Sequence, residues 1–528
     1  MNSPTLNFEK VTFSDGTSLD LATSDVVVFV GPNNSGKSLA LAELEKHLAT
    51  SEGIEGTKVI KAANTRQEGS PEEYKQFVKE NIQLVRQGDH WLYTSFGGGL
   101  STSKVPEQLL PTYIHSFRSL FCKRISTETR ILDSNPVDAI DILNDTPEHP
   151  IHMIFRSVDI ELSISKHFRR AFAVDLIADR ASSSKWNLLV GQRLPPLDKE
   201  DRITPSYLSR VRDATVPLSQ QGDGMRSFAS VILHLLAPTT FTLLLLDEPE
   251  AFLHPPQARI LGEVIATEKQ HNAQLFLATH SVDVLEGLTN GFPEQLRIVR
   301  MQRDGDVNRI KEHDKEIVNK ISYDPVMRYT SVLSGLFHER VFVCESDADC
   351  MFYKSILDLP NVHGESHLDV HFVHANGKHR MAAIAGVLAS LDVPVDIVTD
   401  IDVLDDISVL EKIIKVLNGK WDQIEPLAKA FKKGVEHSVP GSWDSIKRGG
   451  SAALPGGQIV QQFKRLESFC KEARLWIVPV GELEGFCKTV SGKGPAWTQQ
   501  VIEATGFSTN PELESARHFI REIWENNR

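Results

Sequence analysis

Short apolar runs that stop abruptly at polar or acidic residues recur along this chain, and they predict strands buried on both faces. The clearest are Val26-Val27-Val28-Phe29-Val30, Phe241 to Leu246, Gln274 to Ala278, Arg340-Val341-Phe342-Val343-Cys344, Val395-Asp396-Ile397-Val398-Thr399 and Trp476 to Val480. Helical spacing predicts helices from Lys37 to about Leu48, from about Gly224 and from about Pro256. Strands and helices alternating at this length imply mostly parallel sheets covered on both sides. Residues 5 to 30 read as two or three strands with a turn at Ser14-Asp15-Gly16, and Phe172 to Ala178 with Trp186 to Val190 read as a hairpin. From about 51 to 160 the pattern is mixed and mostly helical, an insertion within the first domain, and Asp314 to Leu336 reads as a helical connector. The expected fold class is α/β, with a first domain over 1–325, a connector over 326–338 and a second domain over 339–528.

A chain of 528 residues is too long for one core, which agrees with that division. No stretch approaches the ~20 apolar residues of a membrane span, and the polar start is unlike a secretory signal, so a cytoplasmic protein without membrane contact is expected. Five cysteines without a CxxC pair argue against structural zinc and a disulfide framework. A net charge of -13 disfavours generic polyanion binding, so contact with nucleic acid would need metal ions or a local basic surface. Residues 411–474 offer such a region, with twelve Lys/Arg against seven Asp/Glu.

Candidate chemistry gathers at the strand ends. Gly31-Pro32-Asn33-Asn34-Ser35-Gly36-Lys37-Ser38 is GxxxxGKS between a strand and a helix, a backbone cradle for nucleotide phosphates at a helix N-terminus. Asn33, Asn34, Ser35, Gly36, Lys37, Ser38 and Leu39 are therefore the candidate nucleotide-binding residues, with Lys37 reaching the β and γ oxygens and Ser38 a ligand of Mg²⁺. Asp247 at the end of Leu243-Leu244-Leu245-Leu246 would hold Mg²⁺ through water, and Glu248 would polarise the attacking water. His280 ends another strand, able to reach the γ-phosphate.

The order of these motifs resembles the ABC-type ATPase heads shared by SMC, RecF and the OLD (overcoming lysogenization defect) nucleases, over roughly Leu6 to Arg300. The resemblance implies ATP as the nucleotide and Leu218 to Arg226 as the signature loop, with Ser219 or the Gly222 to Gly224 backbone as the phosphate contact. It also implies a D-loop at Glu250 to His254 and ATP held between two heads, hence a homodimer or a larger homo-oligomer.

Three further strands end in acids: Glu345, Asp347 and Asp349; Asp400 and Asp402; Glu482 and Glu484. Carboxylates crowded at one sheet edge repel one another unless cations lie between them, which suggests one or two Mg²⁺ or Mn²⁺ ions. Glu, then Asp-x-Asp, then a late acid resembles a Toprim domain from about Glu339 onward. This implies Glu345, Asp349, Asp400, Asp402 and Glu484 as metal ligands; the late lysine of OLD nucleases has its nearest match in Lys493. Ser346 stands where Toprim domains usually have glycine, and Asn376-Gly377-Lys378 matches a GK turn. An ABC-type head followed by a Toprim domain is the arrangement of OLD-family proteins. It implies an ATP-gated, metal-dependent DNA endonuclease, a role in defence against bacteriophage, and, for retron members, a reverse transcriptase with its DNA–RNA product as partners. The alternative is a RecF-like or SMC-like DNA-binding ATPase whose Toprim domain binds metal without cutting.

Overall fold

The computed structural model describes residues 4–49, 54, 56–81, 83–87, 89–95, 98–102, 121–198, 200–237, 241–269, 273–290, 295–305, 307–313, 331–364 and 369–526. The chain forms two compact α/β units, residues 1–319 and 320–528. Most of the expected connector, 314–330, lies outside the described residues; its last part contains a buried 3-10 turn at Val332–Phe337.

The first unit is built on a six-stranded sheet in the order Val307–His313, Leu296–Asp304, Val26–Val30, Gln274–Ala278, Leu243–Asp247, Cys122–Ile125. All neighbours are parallel except the hairpin of the first two. Its three central strands are buried at every position, which is why their sequences run apolar without alternation. An antiparallel sheet of Ser18–Asp20, Thr5–Phe13 and Ile60–Glu68 packs on it through Phe8 against Phe276 and Phe13 against Phe29. The Gln274 amide locks the layers by accepting from Phe8 N and donating to Phe8 O, both at 2.9 Å. The hairpin expected around Arg180 is present as Asp175–Ala178 paired with Leu188–Gly191.

The segment 51–160 departs from expectation. Its described residues carry strands at Ile60–Glu68, Gln83–Gln87, His90–Ser95, Gly98–Thr102, Cys122–Ile125 and Val137–Asp138 as well as helices at Pro71–Asn81, Thr127–Asp133 and Pro150–Arg156. Among the described residues it is mixed rather than mostly helical, and Cys122–Ile125 is an edge strand of the main sheet rather than part of an insertion. Cys-Lys-Arg-Ile is short and half polar because an edge strand needs less apolar cover, so it lacks the pattern of its neighbours.

The second unit holds a four-stranded parallel sheet in the order Val370–His374, Arg340–Cys344, Val395–Thr399, Leu475–Ile477. Between its last two strands the chain forms the helices Trp421–Ser438, Ser442–Gly449 and Gln458–Glu472. Inside the sheet Asp396 is fully buried, paired with Arg340 and accepting from Trp476 Nε1 at 2.9 Å. Arg340 also donates to Ile523 O at 2.9 Å, tying the C-terminal helix Glu514–Glu525 to the sheet. Asp396→Ala leaves this guanidinium buried without its counterion and is expected to destabilise the second unit by about 3–5 kcal/mol, read by urea unfolding. No described helix is long and apolar enough to cross a membrane.

Candidate functional sites

In the first unit, the strand Val26–Val30 delivers its last residue to the phosphate loop, and the helix Lys37–Ala49 starts directly after it. Gly31 has φ +143°, and a Cβ there would lie 2.1 Å from Met301 O, so only glycine lets the loop run against the neighbouring strand. Lys37 is buried, its Nζ donating to Gly31 O at 2.8 Å and Pro32 O at 2.7 Å. Asn33 to Leu39, Lys58, Val59, Glu248, His280, Arg303 and Asn308 line a cavity of about 380 Å³. His280 Nε2 and Glu248 Oε1 stand 3.3 Å apart in it.

Behind the cavity, buried charges fix the acidic strand end. Arg130, fully buried, donates to Asp247 O at 3.2 Å and Glu248 O at 2.7 Å. Arg124, from the edge strand, donates to Asp247 Oδ2 at 3.3 Å. Asp247 Oδ1 is buried and accepts no hydrogen bond among the described residues, as suits a carboxylate awaiting a hydrated cation. Glu250 Oε1 accepts from Thr279 Oγ1 and His280 N, both at 2.7 Å, and burial raises its pKa above the usual carboxylate range. Sequence reasoning missed Lys58, Arg124, Arg130, Arg303 and Asn308, none of which lies in a motif. Ser219 lies in the 3-10 turn Leu218–Gln220, Gly222 caps the helix Asp223–Leu236 and Gly224 lies in its first turn. The described lining of the cavity does not include these three.

In the second unit, the strands Arg340–Cys344 and Val395–Thr399 end side by side, and the acids that follow them converge. One oxygen from each of Glu345, Asp400 and Asp402 lies within 4.8 Å of the others. Glu345 Oε1 accepts from Thr399 Oγ1 at 2.6 Å and from Asp400 N at 3.1 Å. Asp349 stands next to this trio as the N3 residue of a capping box: its Oδ2 accepts from Ser346 N and Ser346 Oγ, both at 2.8 Å. Ser346 has φ −132° and ψ 168°, ordinary extended backbone, so the usual glycine is not required there. Glu484 Oε1 accepts from Gly494 N at 2.8 Å, and Lys493 Nζ pairs with Glu482 at 2.7 Å with its side chain 70% exposed. The lysines on the trio itself are Lys378, 3.3 Å from Asp402 Oδ1, and Lys447, 2.8 Å from Asp402 Oδ2. The GK turn pointed to Lys378; Lys447 was legible only as one charge in the basic stretch. That stretch is partly neutralised by its own folding, since Lys432 pairs with Asp405 and Lys471 with Glu522.

Three mutually close carboxylates form a hard-oxygen set that fits Mg²⁺ or Mn²⁺. The electrostatics agree. Burial, then the charges of Glu345 and Asp349, push Asp400 up to about 9, and burial with Glu345 and Glu484 raises Asp349 to about 6. Asp402 is held below the usual range against the pull of burial, by Lys447 and Lys378. Between about pH 4 and 9 the folded chain keeps a proton on Asp400 that the unfolded chain has lost. Stability of the metal-free second unit is therefore expected to fall as pH rises through that window. Asp400→Asn, with no proton to lose, should flatten the decline, and Mg²⁺ should oppose it in the wild type; melting curves between pH 6 and 9 with EDTA or Mg²⁺ measure both.

Residues 141–286 match the family described as "AAA domain, putative AbiEii toxin, Type IV TA system", and residues 336–402 match "Overcoming lysogenization defect protein-like, TOPRIM domain". The chain thus joins an AAA-type ATPase domain to an OLD-like TOPRIM domain, and that pairing fits the architecture of the OLD family. No curated protein matches it. Similar solved structures include an SMC head bound to the C-winged helix domain of ScpA, at 10% identity over 59% of this chain and 99% of that one, with a TM-score of 0.36. They also include the SMC head domain of Thermotoga maritima, at 11% identity over 58% and 99% with a TM-score of 0.30. A third is the Smc head of Pyrococcus furiosus with an extended coiled coil, bound to the C-terminal domain of ScpA, at 12% identity over 60% and 98% with a TM-score of 0.32.

Proposed function

We propose that the protein is an ATP-binding and ATP-hydrolysing, divalent-metal-dependent DNA endonuclease that works as a homodimer or larger homo-oligomer. The observation that carries this reading is the convergence of Glu345, Asp400 and Asp402 at one edge of the second sheet. A divalent cation bound there would supply Lewis-acid stabilisation of phosphodiester oxygens. The protein's own part is to hold the carboxylates in register: Thr399 and the Asp400 amide orient Glu345, and the Ser346 cap fixes the turn that carries it. Asp349 and Glu484 add negative charge beside the trio. Lys493, paired with Glu482, acts on the late-acid loop in this reading rather than on the reacting phosphate.

In the first unit Lys37 and the loop amides would bind the ATP phosphates, Ser38 and Asp247 the Mg²⁺, and Glu248 with His280 would orient water. Ser219 or the Gly222 to Gly224 backbone would complete the site of a partner head. ATP occupancy would then govern whether the second unit engages DNA. A defensive role against bacteriophage, with or without a retron reverse transcriptase and its DNA–RNA product, extends the same reading. The test is a supercoiled plasmid incubated with purified protein and Mg²⁺ or Mn²⁺, with and without ATP. Metal-dependent nicking supports the endonuclease, and intact plasmid under every condition overturns it.

A further inference from the structure

Asp402 differs from the other carboxylates of the trio in already facing two ammonium groups. Lys378 is held there twice, 3.3 Å from Oδ1 and donating to the Asp402 carbonyl at 3.1 Å. Lys447 is held by side chains alone, donating to Asp402 Oδ2 at 2.8 Å and lying 3.8 Å from Asp400 Oδ2, and its side chain is 36% exposed. Its backbone, by contrast, is fixed. Gly481 has φ +100°, and a Cβ there would lie 2.2 Å from Lys447 O, so the loop before Glu484 is packed directly on the last turn of the helix Ser442–Gly449. The helix therefore sets where the stem starts, while the exposed stem lets the ammonium swing aside. Lysine suits this arrangement, being a compact point charge on a flexible four-carbon chain.

Resting on the endonuclease reading, we infer that Lys447 competes with a divalent cation for Asp402, so that the trio offers one strong cation position on Glu345 and Asp400 and one weaker position gated by this lysine. An ammonium and a divalent cation sharing one carboxylate repel each other at a few ångströms in a partly buried site. The weaker position fills when Lys447 turns to another anion, and a phosphodiester oxygen at the site offers one. Lys447 is thus a positioning residue that ties full metal loading to the arrival of an anionic backbone.

Mn²⁺ binding to the full-length protein, followed by the electron paramagnetic resonance signal of free Mn²⁺, tests this. Wild type should show one tighter and one weaker position. Lys447→Met should tighten the weaker one by roughly tenfold or more, a direction that loss of structure would not produce. Lys447→Arg, which keeps the charge, should leave it weak, and Asp402→Asn should remove it. Lys447→Gln serves as the neutral variant if circular dichroism shows that the methionine protein misfolds. Unchanged or weakened Mn²⁺ binding in a folded neutral variant overturns this inference alone. No Mn²⁺ binding by the wild type overturns the endonuclease reading and this inference with it.

Discussion

Asp400→Ala is expected to abolish plasmid nicking, on the order of 10³-fold, while ATP hydrolysis stays at the wild-type rate. Asp400 is the member of the trio most burdened by its neighbours: burial and the charges of Glu345 and Asp349 oppose its ionisation, and its own amide holds Glu345 Oε1 at 3.1 Å. Removing the carboxylate removes the group that folding must keep protonated at neutral pH, so the variant should melt no lower than the wild type without metal. It also leaves Glu345 and Asp402 as the only members of the trio able to bind a cation, too few to fix two reacting oxygens. A folded Asp400→Ala protein that still nicks would remove this residue from the mechanism. Loss of ATPase activity in the same variant would contradict the assignment of the two chemistries to separate sites.

Lys37→Ala should cost at least about a hundredfold in ATP hydrolysis and weaken nucleotide binding by roughly tenfold or more, read with a fluorescent ATP analogue. Lys37 contributes twice. Its ammonium braces the loop through Gly31 O and Pro32 O, and it brings a positive charge to the cavity where the phosphates would lie. Hydrolysis at the wild-type rate would mean that the phosphate loop is not the nucleotide site. Nicking by the same variant then gives the sense of the coupling: cleavage without nucleotide binding marks ATP as a restraint, and its loss marks ATP as an activator.

Much of this architecture was legible because buried parallel strands must be apolar throughout. Val26–Val30, Gln274–Ala278, Arg340–Cys344 and Val395–Thr399 stand where their sequences predicted them. The residues following such strands were legible too, since a strand end in a parallel sheet delivers side chains to one edge. What escaped prediction depends on pairing over long separations. Cys122–Ile125 is a strand because Leu243–Asp247 has an open edge beside it, a fact that four residues cannot carry. Arg130 is recognisable only once its helix brings it under the carbonyls of Asp247 and Glu248. Lys447 lies 45 residues beyond Asp402, in a helix whose own pattern records only its amphipathicity. Charge counting read the surrounding stretch as a basic surface, but tertiary ion pairs consume part of that charge.

The hydrogen bonds from Thr399 and the Asp400 amide to a single oxygen of Glu345 have a mechanical consequence. They bolt the ends of two neighbouring strands together through a candidate ligand side chain, so the spacing between the candidate donors is inherited from sheet register rather than from loop conformation. An ion entering such a mouth would meet a bite of preset width. Selectivity among cations then becomes a matter of radius, and a slip of one strand against the other would detune it before any carboxylate was lost.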